Sequence, residues 1–574
     1  MSTVAETIVD AIADLGVRSV WGVVGDALNP ITDAIRREQR LQWIGVRHEE
    51  VAAFAAGAQA QLTDTLGVCM GTVGPGSLHL LNGLYDAKKS HAPVLAICGQ
   101  VPLAELGSDF FQEVDNDAVF RDVAVFCQTI TSPKQIPGLL EQAVQAALDA
   151  PGVAVLTVPG DIGALDATAA KPRFARTRVP VVPDASQLAA AARAIDNAAA
   201  VTLLVGHGSR RARAEVLDLA DRLAAPIVLT LKAKEELERE NPFQVGQSGL
   251  IGNPAAQRAF DGCDLLLMLG TDFPYSDWYP TGKQVVQIDH RPAHIGRRTA
   301  VDLGVVGDVR LAAVELLARV APKTDRGHLE SSTGHYARWR KRQTELADPD
   351  YDSRGVIEKV RSVFENPDDR IRPEAVAVAI DRHASDQAIF TSDTGMATVW
   401  LSRFVTMRGS RRLLGSYNLG SMANAMPQAL GAQALDRSRE VIAFCGDGGL
   451  TMLMGDLITA VTHELPVRLV VFNNGRLGMV KLEQEQAGLP EFGTHLENID
   501  IAAIARATGM HALRVEHSAD LDDAVHTALA HAGPVLLDIV TNPDEVSLPP
   551  KIKPAQAWGF AIAKLTEVVE SRSA

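Results

Sequence analysis

Short apolar runs that show no polar face recur along this chain, each followed by an Ala- or Leu-rich stretch. They include Ser19–Val24, Val94–Ile97, Val153–Val158, Val201–Val205, Leu265–Leu269, Val285–Ile288, Val441–Phe444, Leu469–Phe472 and Val535–Val540. A strand of that kind must be covered on both faces, which is the condition of a parallel sheet assembled from βαβ units. The expected class is therefore α/β, with doubly wound parallel-sheet domains repeated along the chain.

At 574 residues the chain is too long for a single hydrophobic core. Two breaks in the rhythm divide it. Pro172 to Pro183, with Arg173, Arg176, Arg178 and Pro180, reads as an extended linker. From Pro322 to Arg372 the chain is polar, and its basic run His335–Arg342 reads as the solvated face of a helix. The expected domains are residues 1–175, 184–325 and 370–545, followed by a tail over 546–574.

A net charge of −15 leaves no basic field for nucleic acid. No run approaches the ~18 apolar residues of a membrane span. Met1 to Ala5 carries no Lys or Arg, so a secretory leader is not expected and the location reads as cytoplasmic. Cys69, Cys98, Cys127, Cys263 and Cys445 form no CxxC pair and read as buried reduced thiols.

The chemistry starts at Gly446-Asp447-Gly448-Gly449, directly after an apolar strand. Glycines there let backbone N–H groups approach a phosphate, the following helix offers its N-terminus to the anion, and Asp447 is a hard metal ligand. Twenty-seven positions later (474 − 447), Asn474 closes another apolar strand, an interval that fits one helix and the adjacent parallel strand. Magnesium takes about six oxygens. Asp447, the Asn474 side-chain carbonyl, a backbone carbonyl at Arg476 and two diphosphate oxygens would fill most of that shell. Each half alone is an ordinary turn; the pair at this spacing points to a magnesium–diphosphate anchor.

This Gly-Asp-Gly to Asn-Asn pattern resembles the diphosphate motif of the thiamine-diphosphate enzyme superfamily. The resemblance implies that Ser421, Met422, Ala423, Asp447, Gly448, Gly449, Asn474, Gly475, Arg476, Leu477, Gly478 and Met479 surround thiamine diphosphate, with Met422, ahead of a helix Met426–Ala434, wedged between its rings. It implies too that Glu49, in Arg47-His48-Glu49-Glu50, hydrogen-bonds the aminopyrimidine of a cofactor held by a neighbouring subunit. The loops Gly71–Ser77 and Gly107–Glu113 match the substrate side, where Phe111 and Gln112 would line the pocket and Glu483 would lie near the reacting centre.

Gly206-His207-Gly208-Ser209 is a weak dinucleotide signal by itself. Together with Gly246–Gly252, Leu269–Ser276, Gln287–Asp289 and Val306–Val309, it resembles the FAD domain of the pyruvate oxidase and acetohydroxyacid synthase group. The residues implied are Gly206, Gly208, Gly249, Leu250, Ile251, Gly252, Thr271, Asp272, Phe273, Pro274, Tyr275 and Ser276. Asp289 and Asp308 would bond ribose or adenine.

The resemblance covers residues 3–560 and, within that group, is nearest to bacterial pyruvate:quinone oxidoreductases. It implies a homotetramer binding thiamine diphosphate, Mg²⁺ and FAD that converts pyruvate to acetate and CO₂ and passes electrons through flavin to a quinone. An acetohydroxyacid synthase-type carboligase and a phosphate-dependent, H₂O₂-forming pyruvate oxidase remain as alternatives, whereas a dead homologue would have lost Glu49, Asp447 or Asn474. Two features depart from the pattern. Met479 stands where many relatives carry an aromatic. In the tail, Trp558, Ile562, Leu565 and Val569 share a helical face, but Glu567 and Glu570 oppose them with only Lys564. That face suits packing on protein as well as peripheral contact with the inner side of the cell membrane.

Overall fold

A computed structural model describes residues 2–168, 170–174, 180–349, 351, 366 and 369–544, folded around three six-stranded sheets. The first holds β1 (Ser19–Gly22), β2 (Gln42–Gly45), β3 (Gly67–Gly71), β4 (Val94–Gln100), β5 (Ala124–Thr129) and β6 (Val153–Pro159). The second holds β7 (Val201–Val205), β8 (Ile227–Leu229), β9 (Gln244–Gln247), β10 (Leu265–Leu269), β11 (Gln284–Asp289) and β12 (Leu303–Val306). The third holds β13 (Ile389–Ser392), β14 (Arg412–Gly415), β15 (Val441–Gly446), β16 (Arg468–Asn473), β17 (His511–Val515) and β18 (Val535–Val540). All the strand pairs are parallel. The α/β, multiply wound architecture is thus the one the apolar runs demand.

Sheet order separates two designs. The first and third sheets share one order, β2-β1-β3-β4-β6-β5 and β14-β13-β15-β16-β18-β17. The middle sheet runs β12-β11-β10-β7-β8-β9, which is the dinucleotide-binding order whose direction reverses between its first and fourth strands, here β7 and β10.

The apolar runs named from sequence are mostly central strands. Two of the edge strands escaped that criterion because their side chains are partly wet. β5 alternates half-buried and exposed residues, and β17 begins exposed.

The first and third domains are joined through helices. Glu49–Thr63, which follows β2, packs on Ala425–Leu435, which follows β14. The contact is close because the facing residues are small. Gln59 Nε2 donates to the Gly431 carbonyl at 3.0 Å, and a Cβ on Gly431 would lie 2.4 Å from the Ala55 carbonyl oxygen. One hydrophobic core therefore runs from Ala52 and Ala56 through Ala429 to Leu469.

The basic run His335–Arg342 lies inside the helix Gly327–Leu346. Arg338 and Lys341 face solvent, but the solvated-face reading fails for Tyr336, whose ring stacks on Trp339 at 5.7 Å and packs against the core beside Phe260. Cys69, Cys98, Cys263 and Cys445 are buried free thiols, while Cys127 is half-buried rather than buried. Desolvation pushes Cys98 and Cys127 up to about 12, which makes both poor nucleophiles. Among the described residues, no helix is long and apolar enough to cross a membrane. Arg176 and Arg178 of the linker, and the whole tail over 546–574, lie outside the described residues.

Candidate active site

The anchor forms where β15 and β16 end side by side. Asp447 Oδ1 accepts the Gly448 N–H at 2.8 Å and Oδ2 accepts the Gly475 N–H at 2.7 Å. Asn474 Oδ1 accepts the Arg476 N–H at 3.0 Å, which fixes the turn that presents both residues. Leu477 N–H to Thr494 O and Leu496 N–H to Gly475 O, each 2.8 Å, pin that turn from outside and leave the Arg476 carbonyl out of the pairing. A carboxylate, an amide oxygen and a peptide carbonyl make an all-oxygen donor set suited to Mg²⁺. Burial pushes Asp447 up to about 6 against the pull of its two backbone donors.

The floor of the anchor packs closely around its two glycines. A Cβ on Gly448 would lie 2.9 Å from Leu477, 3.0 Å from Leu496 and 3.5 Å from Met422. A Cβ on Gly449 would lie 2.4 Å from Asp393 Oδ2 and 3.2 Å from the Ala423 nitrogen. Met422, Ala423, Gly448, Gly449, Asn474, Leu477 and Gly478 thus converge. Ala423 adopts φ +63°, an uncommon backbone for alanine, directly after Met422.

Two buried carboxylates hold this geometry, and sequence reasoning missed both. Asp393 Oδ1 accepts the Ala425 N–H at 2.9 Å and Oδ2 the Gly446 N–H at 3.2 Å, so one side chain ties the Met422 loop to the anchor. Burial pushes Asp393 up to about 7. Asp538 accepts Asn473 Nδ2 at 2.8 Å, the Ile501 N–H at 3.0 Å and Arg514 Nη1 at 2.6 Å, fixing the residue before Asn474.

Glu49 opens its helix and is buried, with His48 as the cap. His79 Nδ1 lies 3.0 Å from Glu49 Oε2, and the His79 ring stacks on His48 at 4.4 Å. A Cβ on Gly76 would come within 3.2 Å of Glu49 Oε1 and 2.8 Å of Thr72, whose hydroxyl is buried and has no hydrogen-bond partner. The Gly71–Ser77 loop is therefore wrapped around the Glu49 carboxylate. His79 was missed because its partner lies thirty positions away in sequence (79 − 49).

Gln112 has φ +67°, and its backbone lies against Gly74, where a Cβ would be 2.8 Å from the Gln112 carbonyl. Phe111 is 78% exposed and Glu483 is also exposed. Burial raises the Tyr275 phenol, and the negative charge of Glu483 raises it further. Asn82 Nδ2 reaches both Glu50 Oε1 at 2.7 Å and Ser421 Oγ at 2.9 Å. Among the described residues, no hydrogen bond joins Glu49, Phe111 or Gln112 to Asp447 or Asn474.

The middle sheet builds a cradle at its switch point. A Cβ on Gly206 would lie 2.4 Å from both the Gly270 carbonyl and Thr271, and one on Gly208 would lie 2.8 Å from Gly270. Gly249 has φ +94° and a Cβ there would meet the Phe273 ring at 3.1 Å and Tyr275 at 3.2 Å. A Cβ on Gly252 would stand 2.5 Å from the Gln247 carbonyl. At the same rim, Thr230 Oγ1, Gln247 Nε2 and Ser248 Oγ are buried without hydrogen-bond partners. Glycines that admit close approach beside unsatisfied polar atoms fit a phosphate-bearing dinucleotide.

The third domain braces this rim. Arg403 Nη2 donates to the Gly252 carbonyl at 3.1 Å and its Nε reaches the Ile251 carbonyl, next to Leu250, at 3.4 Å. The Tyr279 hydroxyl bonds the Phe273 carbonyl at 3.0 Å, and Pro274 and Ser276 continue the same loop. Asp289 ends β11 with Oδ1 on the Arg291 N–H at 2.9 Å, whereas Asp308 caps the helix Val309–Leu317.

Comparison with known proteins gives the same three-part division. Family models described as thiamine pyrophosphate enzyme match at residues 2–119 (N-terminal TPP binding domain), 188–317 (central domain) and 393–539 (C-terminal TPP binding domain). The Bacillus subtilis protein YdaP, described as thiamine pyrophosphate-containing, is 38% identical over 99% of this chain and 97% of its own length. Pyruvate oxidase of Lactiplantibacillus plantarum is 31% identical over 92% of this chain and 87% of that protein. Acetolactate synthase of Mycobacterium bovis is 31% identical over 98% and 90% respectively.

Proposed function

The chain belongs to the thiamine pyrophosphate enzyme family, in its pyruvate oxidase and acetolactate synthase group, and from that premise we propose that it oxidises pyruvate. The balanced reaction is pyruvate, water and a quinone giving acetate, CO₂ and the quinol. Thiamine diphosphate, when bound, supplies the electron sink that lets CO₂ leave. Asp447, Asn474 and the Arg476 carbonyl would hold Mg²⁺ and the diphosphate, and Met422 would fix the bent shape of the cofactor. Glu49 holds the proton exchanged with the aminopyrimidine, and His79 orients that carboxyl. Phe111 and Gln112 would cover the substrate and exclude water, with Glu483 near the reacting carbon. FAD would lie along the Gly206–Gly270 cradle and take up the electron pair. A homotetramer with peripheral contact to the membrane that holds the quinone completes this reading, which has no role for nucleic acid.

The observation that supports the oxidase reading is the contact between the flavin rim and the third domain, where Arg403 Nη2 donates to the Gly252 carbonyl at 3.1 Å and Ile251 packs on the same hydrophobic cluster as Met479. On this reading the redox cradle lies beside the helix that follows the Asn474 turn. The equal identity to an acetolactate synthase favours one other reading, a carboligase that retains flavin without net redox. Anaerobic pyruvate added with thiamine diphosphate and Mg²⁺ should bleach the flavin band near ~450 nm, and a quinone should restore it. Unbleached flavin with acetolactate in the product would establish the carboligase instead; restoration by O₂ with a phosphate requirement would establish the H₂O₂-forming oxidase. Glu49→Gln should slow bleaching by about 10²- to 10⁴-fold while FAD stays bound.

A further inference from the structure

Asp272 lies in the flavin loop between Thr271, which meets Gly206, and Phe273, which packs on Gly249. Its carboxylate is engaged elsewhere. Oδ2 accepts Asn418 Nδ2 at 2.5 Å and lies 3.7 Å from His91 Nε2 and 3.8 Å from Lys232 Nζ. Lys232 Nζ also donates to the Lys89 carbonyl at 3.3 Å, and Asn418 Nδ2 reaches the same carbonyl at 3.4 Å. Lys89 and His91 belong to the first domain, Lys232 and Asp272 to the middle one, and Asn418 to the third. One carboxylate oxygen is thus a point where all three domains meet.

Asn418 is not an arbitrary partner. Its loop turns back through Ser421, whose N–H bonds Ser416 Oγ at 3.0 Å, and continues into Met422 and Ala423 beside the anchor. A single path of contacts therefore runs from the flavin cradle, through Asp272 and Asn418, to the loop expected to grip thiamine diphosphate. A charge-assisted hydrogen bond at this distance is a stiff link between two loops that no strand connects.

We propose that Asp272 is a positioning residue that couples the two cofactor sites, ordering the Asn418–Ala423 loop and the flavin loop together. This rests on the reading that the chain binds both cofactors. If each loop is ordered by its own cofactor, the first cofactor to bind meets part of the ordering cost of the second, and the two affinities rise together by the same factor.

The test uses protein stripped of FAD, titrated with FAD by flavin fluorescence, with and without thiamine diphosphate and Mg²⁺. In the wild type, thiamine diphosphate should tighten FAD binding at least about fivefold, within the usual range of site coupling. Asn418→Ala, which leaves Asp272 with Lys232 and His91, should bring that factor to about one while changing FAD affinity less than about twofold when thiamine diphosphate is absent. Asp272→Asn should lose the same coupling, which keeps the idea testable if Asn418→Ala does not fold. The double variant should be no worse than either single one. Retained coupling in either variant, or a tenfold loss of FAD affinity in Asn418→Ala without thiamine diphosphate, would overturn the proposal. A wild type that binds both cofactors independently defeats the coupling alone; one that fails to bind either defeats the underlying functional reading as well.

Discussion

The Asp447 carboxylate accepts the Gly475 N–H at 2.7 Å, so one acid ties the end of β15 to the turn after β16. Without a cation, burial raises that acid to about 6. The folded chain then binds more protons than the unfolded chain between the ordinary aspartate range and about pH 6. This contribution to stability is complete below that window and is lost as pH rises through it. Asp447→Asn removes the titration. Its melting temperature in metal-free buffer should climb relative to wild type between about pH 4 and pH 7. Adding Mg²⁺ and thiamine diphosphate at pH 7 should stabilise the wild type and leave the variant unmoved. Parallel melting curves across the pH range would remove Asp447 from the anchor.

Gly431→Ala tests the seam between the first and third domains. The added methyl would sit 2.4 Å from the Ala55 carbonyl and 2.7 Å from its Cα, both backbone atoms that cannot rotate aside. Overpacking of this kind costs about 1–3 kcal/mol. Denaturant melts should show that loss, with FAD affinity little changed because the cradle lies in the middle domain.

Gly74→Ala should act on the substrate side. Gly74 has φ +65°, and a Cβ would lie 2.8 Å from the Gln112 carbonyl. The Phe110–Gln112 loop must shift, so KM for pyruvate should rise several-fold while the apparent affinity for thiamine diphosphate stays constant. A change confined to cofactor affinity would place that loop elsewhere.

Arg403→Met should loosen the flavin. Burial lowers the Arg403 guanidinium to about 10, and the group remains a cation whose donors reach the Gly252 and Ile251 carbonyls. Hydrogen bonds from a charged donor contribute about 1.5–3 kcal/mol, so FAD Kd should rise at least about tenfold. Gel filtration of the holoprotein would show the difference as lost flavin absorbance.

What was legible in the sequence was whatever one residue type dictates locally. Gly449 is a glycine because a Cβ there would run into Asp393, and Asp447 and Asn474 are oxygen-bearing residues at the ends of apolar strands. The strands of the sheet interiors were legible for the same reason, since both faces demand apolar residues. β5 and β17 were not, because an edge tolerates polar side chains. Asp393, Asp538 and His79 were also hidden. Each matters through a partner brought near by the fold, and nothing in its neighbours along the chain distinguishes it from an ordinary surface residue. Tyr336 was misjudged for a related reason: a basic run describes one side of a helix and conceals the other.

The shared strand order of the first and third sheets implies a chain doubled upon itself. Glu49–Thr63 and Ala425–Leu435 each occupy the crossover from second to third strand, and they face one another, as equivalent elements do across a two-fold axis. By the same equivalence, the loop after β3, Gly71 to Gly76, is the counterpart of Gly446 to Gly449 after β15. One of these turns carries the acid that would ligate a metal; the other carries Gly76, which lies against Glu49. Catalytic labour would then be divided between two equivalent strand-to-helix corners, one anchoring a cofactor and the other waking it.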